Sequence, residues 1–136
     1  MAGAVDFREF IAGFLAEADE LLRGASAHVI EVDQAARDGQ PHPRAVRELF
    51  RALHTIKGLA SMVGVEPVAE IAHGMESVLR AADRAGGRLS GPAIELLVRG
   101  LHAIEERVAL LARQQPVPPA PHKLIEALSA LQSSAP

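Results

Sequence analysis

The stretch PRAVRELFRALHTIKGLASMVG, residues 43–64, decides how the chain folds. Val46, Leu49, Phe50, Leu53, Ile56 and Ala60 return every three or four residues, the period of a helix with one buried side. Pro43 suits a first helical turn, where its missing N–H costs nothing. Gly64 is a natural stop, because glycine accepts the left-handed backbone that ends helices. The spacing predicts a helix from about Pro43 to Val63.

The same period continues in both directions. Upstream, Asp6 fits an N-cap, with Glu9 three residues on as its capping-box partner. Phe7, Phe10, Ile11, Phe14, Leu15, Ala18, Leu21 and Leu22 mark a buried stripe, and Val29, Ile30 and Val32 carry it past Gly24 toward Arg37. Residues 38–43, DGQPHP, form a loop by their breakers. Downstream, Pro67 suits the first turn of a third helix running to about Ala85, where Gly86-Gly87 breaks it. Ser90 caps a fourth helix with Ile94, Leu97, Leu101, Ile104, Val108 and Leu111 at bundle spacing. PVPPAP, residues 116–121, is a stiff linker. A short fifth helix follows at about 122–133, with Leu124, Ile125, Leu128 and Leu131 on one face. The expected fold is all-α. One domain covers residues 1–136: an antiparallel up-and-down four-helix bundle over about 5–114, with an additional short C-terminal helix.

Composition narrows the function classes. Apolar residues make up 49% of 136, enough to exclude a disordered chain. A net charge of −3, with no Trp or Tyr, argues against nucleic-acid binding, which wants basic surface and aromatic platforms. The absence of cysteine excludes disulfides and thiolate metal sites and fits a reducing cytoplasm. No apolar run reaches the length of a membrane span, and the charged start MAGAVDFREF lacks a signal-peptide core. A cytoplasmic protein without membrane insertion is expected.

The chemistry-bearing residues lie in the first-quoted helix. At about 100° per residue, His54 falls about 105–110° from the centre of the apolar stripe. It sits on the shoulder of the core, not inside it. Lys57 lies about 60° from His54 toward the stripe, and Gly58 and Ser61 fall within about 40° of it. A helix-interior glycine costs up to about 1 kcal/mol relative to alanine. Here it leaves the imidazole open to a docking protein, while Lys57 supplies positive charge beside any anion the ring carries. The same residues fit a plainer reading: an idle surface histidine, and a glycine that lets a neighbouring helix approach. Geometry alone favours the plainer reading.

The segment LFRALHTIKGLASMVGV resembles the phosphoacceptor helix of histidine-containing phosphotransfer (HPt) domains, most of all the amino-terminal domain of CheA-type chemotaxis histidine kinases. The shared pattern is His54, Lys57, Gly58, Ala60, Ser61 and Gly64, preceded by Leu49-Phe50-Arg51-Ala52. Leu59 departs from it, since a small residue is usual there; it either narrows access to His54 or adds an apolar contact for a partner. In the third helix His73 and Glu76 occupy matching positions, spaced i, i+3 on one surface. The resemblance implies that both join a hydrogen-bond network with the phosphoacceptor and the lysine. A carboxylate accepting the Nδ1 proton would fix the tautomer and leave Nε2 with a free lone pair. Glu76 lies on the shoulder of its helix's stripe, within reach of a facing helix. His73 lies nearly opposite the stripe, and an exposed residue without a role fits it equally well.

The resemblance implies two-component, chemotaxis-type signalling. A histidine kinase catalytic domain phosphorylates His54, and the phosphohistidine passes its phosphoryl group to an aspartate of a response-regulator receiver domain. Gly58, Leu59 and Ser61 would govern access and docking, with Met62 either a further contact or core. The chain shows no P-loop and no evident Mg²⁺ carboxylate cluster. It needs no cofactor of its own, and ATP and Mg²⁺ are expected on partner domains. The likeness and the tail SSAP, residues 133–136, favour a piece of a larger kinase. Two other readings share these residues: a helical adaptor or dimerisation module without phosphoryl chemistry, and a zinc site of His54, His73 and Glu76. Lys57 argues against the zinc site by charge repulsion, and no metal is expected.

Overall fold

The computed structural model describes residues 7–133; the expected Asp6 cap lies outside them. The helices are α1 (Phe7–Arg37), α2 (Pro43–Met62), α3 (Glu66–Arg84), α4 (Gly91–Ala112) and α5 (His122–Ser133), with no strand among the described residues. Helix α1 runs unbroken through Gly24. Helix α2 begins on a cap outside the sequence expectation: Ala45 N–H donates to His42 Nδ1 at 3.2 Å. Ser90 caps α4 as expected, its Oγ accepting from Ala93 N–H at 3.2 Å.

Gly64 ends α2 with φ +78°. Its N–H donates to Ser61 C=O and that of Val65 to Ala60 C=O, the paired bonds of a Schellman end. This tight reversal returns the chain after three residues, so α3 lies antiparallel beside α2.

Packing closes a ring in which α1 touches α2 and α4, and α3 touches α2 and α4; α5 lies across α3 and α4. Short connections between touching neighbours make this the expected up-and-down bundle. The centre is filled by Leu49, Leu53 and Ile56 of α2, Ile71, Met75 and Leu79 of α3, and Leu97 and Ile104 of α4. Helix α5 seats Leu128 on Gly74, where an added Cβ would come within 3.1 Å of the leucine Cδ1.

Two parts of the expected stripe are not buried. Ile30, next to buried Val29, is 69% exposed, because adjacent helical positions point about 100° apart. Phe7 and Phe10 are exposed, whereas Phe14 is buried. The reason is length. Helix α1 has 31 residues and α2 has 20, about 46 Å against 30 Å at 1.5 Å per residue. The first turns of α1 outrun α2, and Phe7 and Phe10 stay in solvent.

Candidate functional site

His54 projects from the middle of α2, where its own helix buries Leu53 and Ile56 on the adjacent face. Its side chain is 62% exposed, yet Nδ1 lies 2.8 Å from Oε2 of Glu76 on α3. Glu76 is 1% exposed, deeper than the shoulder position its spacing suggests. The other carboxylate oxygen, Oε1, accepts from Lys57 Nζ at 2.9 Å and from Arg80 Nη2 at 3.3 Å. Among the described residues no buried side-chain polar atom lacks a partner.

The charge state follows from these contacts. Burial pushes the Glu76 carboxyl up, because a desolvated anion is costly. The hydrogen bonds from Lys57 and His54, and the charges of both, outweigh burial and hold it below its ordinary value. Glu76 is therefore an anion at neutral pH and can only accept. His54 Nδ1 must carry the proton it donates, so in the neutral ring Nε2 keeps the lone pair. With Nδ1 tied to a buried group, the wet part of the imidazole is its far edge. Phe50, one turn earlier on α2, covers one ring face, with centroids 6.0 Å apart and planes at 13°.

The structure thus brings His54, Lys57 and Glu76 together. It does not bring in His73, which is exposed. His73 makes no side-chain hydrogen bond to a described residue, and only its carbonyl is used, by Ser77 Oγ at 3.1 Å. Arg80, one turn beyond Glu76, holds the place that His73 was expected to take. Its signal in the sequence was the i, i+4 spacing from Glu76, which shares one helix face. Among the described residues no group of three or more metal-ligating side chains is placed to hold an ion, so His54, His73 and Glu76 do not assemble the zinc site.

Around the ring the surface is open. A Cβ added at Gly58 would meet nothing within 4 Å, so helix packing is not the reason for that glycine. Gly58 and Ser61 are exposed, and Met62 is 75% exposed, a surface residue rather than core. Leu59 is half-buried and leans on the core, so it does not stand over His54. No described helix is long and apolar enough to cross a membrane.

A histidine bound through Nδ1 to a buried carboxylate, with a lysine on that carboxylate, is the arrangement the resemblance implies. The sequence model of the family described as "Hpt domain" matches residues 9–134. The chain belongs to the Hpt domain family. Among curated relatives of this Hpt domain, the chemotaxis protein CheA of Klebsiella aerogenes is 35% identical over 114 residues, which are 83% of this chain and 17% of that protein. CheA of Salmonella typhimurium is 30% identical over 105 residues, 77% of this chain and 15% of that protein. The chain thus spans less than a fifth of the length of these relatives. The fold is that of the phosphorylated P1 domain of CheA3, solved in complex with CheY6 from R. sphaeroides. The TM-score is 0.76 at 21% identity, covering 94% of this chain and 98% of that one.

Proposed function

We propose that this Hpt domain carries a phosphoryl group on Nε2 of His54 between a histidine kinase catalytic domain and the aspartate of a response-regulator receiver domain. The observation that carries this reading is the 2.8 Å contact between His54 Nδ1 and the buried Glu76 carboxylate. It leaves a nucleophilic lone pair at the exposed edge of the ring.

The Nε2 lone pair attacks the γ-phosphorus of ATP. An N–P bond forms, the bond to the ADP oxygen breaks, and the ring becomes cationic with its Nδ1 proton retained. Glu76 stabilises that charge as a triad carboxylate stabilises an imidazolium. In the second transfer a receiver carboxylate oxygen attacks phosphorus, the N–P bond breaks, and its electron pair returns to Nε2. Lys57, 27% exposed and one turn from His54 on the same helix, supplies positive charge for the phosphoryl oxygens. The domain supplies position and electrostatics, the main levers in phosphoryl transfer. ATP and Mg²⁺ belong to the partner domains. The kinship with CheA proteins and the fold shared with a P1 domain solved in complex with CheY6 support these partners, and a cytoplasmic location follows from them.

The docking surface is the exposed face of α2 bearing Gly58, Ser61 and Met62. Such encounters are brief and bury modest area. The test is incubation with a CheA catalytic domain and radiolabelled ATP. Acid-labile label on the wild-type chain that is lost in His54→Gln supports the carrier role. Label retained in His54→Gln refutes it by moving the phosphoryl group to another side chain, and no label beside a CheA P1 domain that labels normally refutes it and leaves a helical adaptor.

A further inference from the structure

Arg80 belongs to no part of the pattern that carries the family resemblance, yet it touches both groups that touch the imidazole. Its Nη2 donates to Glu76 Oε1 at 3.3 Å. Its guanidinium carbon lies 5.4 Å from the centroid of Phe50, and Phe50 stacks on His54. Glu76 holds the ring by its Nδ1 edge and Phe50 by a face, and one side chain of α3 holds them both.

Charge compensation does not explain this residue. Glu76 already has Lys57 at 2.9 Å, and the Lys57 side chain is 27% exposed against 51% for Arg80. A second, longer and wetter ion pair on the same oxygen adds little stability. What a planar guanidinium adds is geometry. It offers a flat face to an aromatic ring and a fork of donors to a carboxylate at once, which a lysine ammonium does not. Phe50 itself is only half-buried on α2, so its core contacts leave much of the ring uncovered.

We infer that Arg80 is a positioning residue for phosphoryl acceptance: it clamps Phe50 against the face and Glu76 against the edge of His54, and so fixes the ring with Nε2 outward. This rests on the carrier role proposed above. Small losses of alignment at a reacting atom slow transfer by up to about a hundredfold. A clamp acting one residue away should cost less, about tenfold.

The test uses the whole chain and potassium phosphoramidate, a small phosphodonor that needs no docking partner. Phosphohistidine is followed by ³¹P NMR, and the His54 tautomer by long-range ¹⁵N spectra. Arg80→Ala should slow phosphorylation of His54 about tenfold and mix the ring tautomers, with the thermal transition retained. Arg80→Met, which keeps the aliphatic stem over Phe50, should show the same loss and covers a failure of the alanine variant to fold. Arg80→Lys should recover part of the rate. Phe50→Leu should slow the reaction, and the losses in the double variant should be less than multiplicative, because part of the Arg80 effect passes through Phe50.

A wild-type rate and a single tautomer in Arg80→Ala and Arg80→Met would overturn the inference while leaving the carrier role intact. Fully multiplicative losses in the double variant overturn the clamp through Phe50. A wild-type chain that takes no phosphoryl group from phosphoramidate or from a kinase removes the carrier role and the inference together.

Discussion

Glu76 is a carboxylate almost wholly removed from water, and it keeps its charge because Lys57 and His54 donate to it. Replacing it with glutamine keeps the shape and removes the anion. Glu76→Gln should slow phosphorylation of His54 about a hundredfold or more, the lower end of the range for a positioned acid–base partner, with the fold retained. A rate equal to wild type removes Glu76 from the mechanism. The same residue sets a pH dependence. Its carboxyl is held below the ordinary value of 4.5, so the native state binds its proton less readily than the unfolded chain. That contribution is fully present above about pH 4.5 and is lost as pH falls through the lowered native value. Denaturant unfolding at pH 6 and pH 3 should show a smaller loss of stability in Glu76→Gln than in wild type; equal losses contradict this. Gly58 separates stability from access. A Cβ there meets nothing, so Gly58→Ala should raise stability by about 0.5–1 kcal/mol, read as a rise of a few degrees in Tm. Gly58→Leu should block transfer by bulk beside the ring. His54, Lys57 and Gly58 were legible because one helix fixes their relative directions. For Arg80 only the i, i+4 spacing from Glu76 was legible; its contact with Phe50 crosses between helices, and a single helical wheel holds no such distance.

At the scale of elements the hydrophobic period found all five helices, since each must bury one face and the chain repeats every three or four residues to do so. Phe7 and Phe10 continue the period and stay exposed, because a period does not say how far a helix outruns its neighbours. The tie between linker and bundle was hidden for a different reason. Arg107 lies three residues from Ile104 on the inward side of α4, and charge suggests solvent, yet it is 4% exposed. Its guanidinium donates to the carbonyls of Pro118 at 3.2 Å and Pro119 at 2.6 Å. The proline-rich segment has few N–H groups of its own to anchor it, so one arginine fastens it to α4 and directs α5 onto α3. Arg107→Met should cost roughly 2 kcal/mol, the scale of charge-assisted hydrogen bonds. Faster amide exchange in residues 122–131 than in α2 would mark release of α5. Uniform protection across both helices contradicts a fastening role.

Over the whole molecule the bundle works as a rigid mount. The antiparallel return of α3 after Gly64 sets Glu76 opposite His54, and the buried Leu53, Ile56 and Met75 keep the two helices in register. The fold class was legible from period and loop length. The chemistry was legible only once the His54 pattern joined it, because an all-α bundle hosts many functions. The account as a whole stands on one nitrogen. Phosphorylation of the chain by a CheA catalytic domain, followed by ³¹P and ¹⁵N NMR of the product, locates the new bond. The account predicts a single phosphohistidine at His54 bonded through Nε2, with the proton retained on Nδ1. A phosphoryl group on Nδ1, or on another side chain, would contradict it.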